Sequence, residues 1–365
     1  MIQIQTDLMR ITRLIVAAVF VIWTPGGRSI SAQSGGTELS PLPKDAFSIV
    51  LLSDTQNYLS NGKKANRNST GVLTNPIFES QVQWVLDNQK KQRIVFVSHG
   101  GDVVDVNNRA QWTLGKKNLD RLHGKIPYGI SVGNHDMKSN GNSSLYQEYF
   151  PASIFERFKW YGGTFRGTSD STSGNNANSF QLIRAGKTDL VLLHLECNAP
   201  DPVLAWADSV LVRYKDRIAI VVTHMFIGPE IQPTTNEEYY NNKKGVMTWH
   251  KCHGEKGNSA VLMWEKCFRK HANIRMILSG DQSRANAHYT PMTNDRRLTV
   301  HALLSDYSAT AKNGGIRIYR FYPRKNKVEV VTWDTIEQER LLQTSAVKDG
   351  HQHNFDLDFD FNLKH

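Results

Sequence analysis

Four short polar clusters carry the side chains that could do chemistry: Asp54-Thr55-Gln56, Gly101-Asp102-Val103-Val104-Asp105, Gly133-Asn134-His135-Asp136 and Thr223-His224. Carboxylate, carboxamide and imidazole groups are donors for divalent metal ions, and an oxygen-rich mixture leans towards harder ions such as Mn²⁺, Mg²⁺ or Ca²⁺. A later polar step, Gly280-Asp281-Gln282-Ser283, offers two more oxygen donors in Asp281 and Ser283. A single Asp at a strand end says little, because turns favour Asp. Clusters of ligand type in this succession ask for a shared site.

The elements that must position them are short, apolar, β-branched runs. FSIVLLS precedes Asp54, IVFVS precedes Gly101, YGISV precedes Gly133 and IAIVVT leads to His224. Such runs read as buried strands, and the carboxyl ends of parallel strands are where open α/β sheets bind ligands. Between them, residues 78–91 set Phe78, Val82, Val85 and Leu86 on one helical face, and 111–122 read as the next helix. Asp201-Pro202 has the cap and first-turn residues of a helix start, and Asn258 reads as the cap of a helix carrying Val261, Trp264 and Phe268. Residues 274–279 form the strand that delivers Asp281. The runs 299–304, 316–322 and 328–333 then follow without helices, which predicts a second, antiparallel-leaning sheet. Near the end Phe355, Leu357, Phe359 and Phe361 alternate with Asp356, Asp358 and Asp360, the period of an edge strand with an acidic outer face. Residues 55–76, 162–179 and 229–258 read as polar loops, the last an insertion over the site.

The order of the clusters resembles the signature of the calcineurin-like metallophosphoesterases, which runs D-x-H, G-D-x-x-D, G-N-H-D/E, a lone His and then G-H-x-H. The resemblance spans residues 45–335 and is most specific over 101–105 and 133–136. The opening Asp-Thr-Gln and the stretch Pro202-Val203-Leu204-Ala205-Trp206-Ala207-Asp208 ahead of IAIVVTH look like a secreted bacterial branch of that superfamily. The chain departs from the pattern at Asp281 and Ser283, which stand where the family has its last two histidines.

The resemblance implies an α/β fold, a four-layer α/β/β/α sandwich of two mixed sheets, and metal-dependent hydrolysis of phosphomono- or phosphodiesters by a metal-bound hydroxide. Asp102 would bridge two ions, with Asp54, Gln56 and Ser283 at the first and Asn134, His224 and Asp281 at the second. His135 would be the general acid for the leaving oxygen, oriented by Asp105. With oxygens in place of imidazoles, one firmly held divalent ion and one loose one are expected, among Mn, Fe, Zn, Mg and Ca. The changed last motif keeps a second reading open, a degenerate member that binds a phosphorylated or sugar ligand without turnover. Gly129-Ile130-Ser131-Val132-Gly133 spells G-x-S-x-G, but Ser131 lies inside a strand run rather than at the strand-to-helix turn of a serine-hydrolase elbow.

At 365 residues the chain can bury a large core, and 39% hydrophobic with 21% charged residues is a globular composition. Arg10 and Arg13 ahead of the apolar run 14–23, a Pro-Gly-Gly break and Ala32 have the layout of a secretory signal over 1–32. That predicts a secreted or periplasmic protein, with a linker over 33–44, a metallophosphoesterase domain over 45–345 and a C-terminal segment over 346–365. After cleavage no integral membrane span remains. The formal net charge of +10 falls to about +8 without residues 1–32, which hold three Arg and one Asp. No dense Lys/Arg block with interleaved aromatics marks a nucleic-acid site, so the partner expected is a phosphate-ester substrate; the sequence carries no sign of oligomeric state. Of Cys197, Cys252 and Cys267, the last two are the nearest pair for a disulfide. His250, His253, His351 and His353 lie in polar segments and read as surface residues; His194 and Glu196, at a strand end, take no assigned role.

Overall fold

The apolar runs become the strands of two facing sheets. In this computed structural model the described residues are 38–60, 71–167, 172–308 (without 236, 239–241 and 243) and 314–363, with the short strands Trp23–Thr24 and Arg28–Ser29. The signal segment read over 1–32 otherwise lies outside them, as do parts of the linker and of all three polar loops.

In the first sheet Phe47–Leu52, Ile94–His99 and Tyr128–Ile130 run parallel. Gly315–Tyr322, Lys327–Asp334 and Phe355–Asp358 continue it antiparallel on the other side of Phe47–Leu52. In the second sheet Thr188–Leu195, Ile218–Thr223, Ile274–Ser279 and Thr299–Ser305 run parallel, with antiparallel strands at both rims. Alternation along each strand divides the core. Ile49, Leu51, Ile220, Val222, Met276 and Leu278 meet between the sheets. Val50, Leu52, Val221 and Ile277 face outward onto the helices. That is the expected four-layer sandwich, with a strand period of two generating both interfaces.

Helix starts follow their caps. The Asn75 side chain accepts from Phe78 N at 3.1 Å to open Pro76–Asn88, and Asn108 accepts from Gln111 N at 2.9 Å to open Arg109–Leu119. Two expected caps shift by one residue. Pro200 precedes Asp201–Arg213, and Ser259 caps Ala260–Lys266, because Asn258 instead donates to Asp201 Oδ1 at 2.8 Å.

The predicted antiparallel sheet does not form as a unit. Thr299–Ser305 pairs parallel with Ile274–Ser279 in the second sheet, while Gly315–Tyr322 and Lys327–Asp334 complete the first. A run of strands without helices says that they are neighbours in sequence, not which sheet each extends. The acidic strand does lie beside Lys327–Asp334, with Phe355, Leu357 and Phe359 buried, and Arg28–Ser29 pairs along its far side. The three cysteines are free and buried, and Cys252 interacts with Cys197 rather than Cys267.

Candidate metal centre

Each cluster sits just past the strand that leads to it, so one edge of the sandwich collects Asp54, Asp102, Asn134, His135, His224 and Asp281. Asp54, Asp102 and Asp281 share one local solution, a left-handed backbone with φ of 55°, 54° and 65°. That conformation costs a non-glycine residue on the order of 1–3 kcal/mol, and the Asp54 and Asp102 carboxylates lie against glycines that follow other strands. Two glycines make room for the result. A Cβ on Gly133 would lie 2.1 Å from Asp102 Oδ1, and one on Gly280 would lie 2.1 Å from Asp54 Oδ2.

The oxygens converge on His224, which is fully buried. Its Nε2 lies 3.3 Å from Asp102 Oδ1, 3.4 Å from Asp281 Oδ1, 4.0 Å from Asp54 Oδ1 and 3.1 Å from Asn134 Oδ1, while Nδ1 faces Gly100 O at 2.9 Å. With the Nδ1 proton on that carbonyl, Nε2 brings a lone pair to a point already ringed by oxygen lone pairs. Such a point demands a proton or a cation. In the metal-free protein burial works against a charged His224, yet Asp102, Asp281 and Asp54 raise its pKa well above the ordinary value. Burial likewise opposes ionisation of Asp102, but the neighbouring His224 and His135 hold its carboxyl down at about 2. Asp54 moves the other way, raised by burial and by the charge of Asp306.

A divalent ion answers the same demand. Asp54, Asp102 and His224 each offer a ligand atom, all within 4.8 Å of one another. The Gln56 side-chain oxygen is buried with no hydrogen-bond partner among the described residues, as a donor to a cation would be. These residues fit a hard divalent ion. Next to Asp281, the Ser283 carbonyl accepts from the Asn286 side-chain amide.

His135 stands beside the cluster with its side chain 18% exposed. Its Nδ1 bonds to the backbone carbonyl of Asp105 at 2.7 Å, and the Asp105 carboxylate is 3.8 Å away. Asp105 thus orients the ring through its main chain. That leaves Nε2 facing Asp102 Oδ2 at 3.9 Å.

Sequence reasoning passed over several residues here. Asp136, within the quoted cluster, accepts from Val104 N at 3.1 Å and Gly133 N at 2.9 Å, tying two ligand loops together. Burial and the charge of Asp102 push its pKa up to about 6. Asp306 directly follows Thr299–Ser305, as Asp281 follows Ile274–Ser279 after one intervening glycine, so the strand-end rule could have found it. Lys251, in the predicted insertion, donates to Asp281 Oδ1; no periodicity marks it. His253 and His353, expected at the surface, are buried, His253 with Nε2 3.4 Å from Glu196 Oε2. Short polar segments packed over a sheet edge hide their imidazoles, which local polarity does not reveal. Ser131, just past Tyr128–Ile130, is buried and donates to Val222 O at 2.8 Å, which ties it to the neighbouring sheet.

Comparison with known proteins places this arrangement. The family model described as calcineurin-like phosphoesterase matches residues 47–284. The uncharacterized protein YvnB of Bacillus subtilis (strain 168) is 26% identical over 331 residues. That match takes in 88% of this chain but only 22% of YvnB, so the chain spans about a fifth of that relative's length. Among solved structures, a dimetal phosphatase from Danio rerio aligns with a TM-score of 0.48 at 12% identity, over 86% of this chain and 99% of that one. The NAD nucleotidase NadN of Haemophilus influenzae aligns with a TM-score of 0.41 at 14% identity, over 76% and 48%.

Proposed function

The chain belongs to the calcineurin-like phosphoesterase family, and from that premise we propose that it hydrolyses a phosphomono- or phosphodiester with a divalent metal ion held by Asp54, Asp102 and His224. The observation that carries this reading is the ring of oxygens around His224 Nε2, which asks for a cation in a buried site. Asn134 and Asp281 stand within the same ring and would add oxygen donors, and Gln56 would offer its unpartnered carbonyl. A bound divalent ion supplies Lewis acidity for phosphoryl oxygens and acidifies a coordinated water.

The remaining work falls to the chain. His224 keeps its Nδ1 proton on Gly100 O, which aims Nε2 at the ion. His135 is the general acid. Its Nδ1–H donates to Asp105 O, and its partly exposed Nε2 points across the cluster, where it can hand a proton to a leaving alkoxide. The buried Asp136 keeps the Asp102 and His135 loops in register. We place the reaction outside the cytoplasm on the signal-like layout of residues 1–32. Among the described residues no helix is long and apolar enough to cross a membrane.

The test is His135→Ala, reconstituted with Mn²⁺, on an activated aryl phosphodiester and on an unactivated ester. Loss of general acid catalysis should lower turnover of the unactivated ester roughly 10²–10⁴-fold and the activated one less. Equal rates to wild type on both substrates would remove His135 from the mechanism. A second reading, ligand binding without turnover, is favoured by Asp281 and Ser283 standing where the family has its last two histidines. Thermal stabilisation by a phosphorylated ligand with no product under any metal would select it.

A further inference from the structure

Asp54, Asp102 and Asp281 bring three carboxylates to one imidazole, and one of them already has a cation. The Lys251 ammonium rests on Asp281 Oδ1, the oxygen that also lies 3.4 Å from His224 Nε2. This placement is built into the fold. Asn198, just past the strand Thr188–Leu195, accepts from Lys251 N at 2.7 Å and from Cys252 N at 3.2 Å, and its own amide donates to Asn258 O at 3.0 Å. The main chain under Lys251 is therefore pinned to the end of a central strand at the same sheet edge as His224. Its side chain remains 33% exposed, on the open side of a carboxylate that is itself 3% exposed. An ammonium on a buried carboxylate makes a charge-assisted pair.

Asp281 Oδ1 therefore already holds a cation on the oxygen that it turns towards His224. A second ion at Asp281 would have to displace or sit against the ammonium. Of the three ammonium donors one is used on Asp281, and the others have no partner among the described residues.

We propose that this is a one-ion centre in which Lys251, held on Asp281, supplies the second positive charge and binds a phosphoryl oxygen of the substrate. The inference rests on the metal-dependent phosphoesterase reading above and adds a substrate-binding residue to it. It also gives a chemical reason for Asp281 in this chain: a carboxylate anchors an ammonium, as an imidazole would not.

The test counts ions and measures anion binding, without using turnover. The full chain is saturated with Mn²⁺, freed of excess and assayed for metal, and inorganic phosphate is then titrated calorimetrically at one equivalent of Mn²⁺. Wild type should retain one ion per chain. Lys251→Met should bind phosphate about tenfold more weakly, and at saturating Mn²⁺ it should admit a second ion at the freed Asp281. Lys251→Arg, which keeps the charge, should hold one ion and most of the phosphate affinity, and melting curves confirm that both variants fold. Two ions in wild type would overturn the proposal and leave the phosphoesterase reading standing. Unchanged phosphate affinity and one ion in Lys251→Met would also overturn it. No retained ion in wild type or either variant would instead sink the metal-dependent reading, and this proposal with it.

Discussion

His224 and Asp136 show two ways in which one buried residue organises a site. His224 gathers opposing charge, whereas Asp136 gathers backbone donors from two loops that carry other residues' chemistry. Asp136→Ala should leave the N–H groups of Val104 and Gly133 buried without acceptors. Each orphaned donor costs about 1–3 kcal/mol, so a loss of roughly 2–6 kcal/mol is expected in urea unfolding, and less for Asp136→Asn, which keeps one acceptor. An alanine variant within about 0.5 kcal/mol of wild type would show that Asp136 is not the tie between these loops. Sequence pattern put Asp136 in the right cluster but assigned it nothing, because its partners are main-chain groups, one of them Val104 N in a loop 32 residues away.

At the scale of elements, the site depends on strand ends brought within a Cβ of one another. Gly280 closes Ile274–Ser279 against the Asp54 turn, and nothing larger than hydrogen fits there. Gly280→Ala should push the Asp281 turn away from Asp54 and weaken Mn²⁺ binding about tenfold or more, at a stability cost of roughly 1–3 kcal/mol. A Mn²⁺ titration that matched wild type would mean the two turns need not touch. The strands themselves were legible, since FSIVLLS, IVFVS, IAIVVT and the run 274–279 all lie where their apolar patterns put them. The sheet assignment of Thr299–Ser305 was not. A strand's partner is chosen by packing across the sheet, and its own sequence records only that it is buried.

Over the whole molecule, two sheets pressed face to face bury polar groups far from the metal centre, and some of these set a pH limit. His301 is 2% exposed, bonds through Nδ1 to Tyr289 Oη at 3.0 Å, and stacks near Phe359. Burial holds its pKa down to about 4, Arg275 adding to the effect and the Asp358 backbone opposing it. In the unfolded chain it returns to about 6.5. A histidine with a depressed folded value contributes stability that is fully present above pH about 6.5 and is lost as pH falls towards about 4, since only the unfolded state then takes up the proton. The loss is on the order of 3 kcal/mol for this group. His301→Asn should therefore lose less stability than wild type between pH of about 7.5 and 4.5, read by urea unfolding at each. An identical loss in both would mean that His301 does not control the acid limb.

The sequence alone determined the kinds of donor, their order and the strands that carry them, because strand periodicity and turn chemistry are local properties. It therefore reached the strand ends that carry Asp54, Asp102, Asn134, His135, His224 and Asp281, while the layered fold around them came from the resemblance of the cluster order to a known family. Tertiary structure decided what meets what. It gave His135 a main-chain partner in Asp105 and set Lys251 on Asp281 from 30 residues away. Those outcomes depend on where separate loops converge at a sheet edge, and charge neutrality at that edge is a property of the assembled site rather than of any segment.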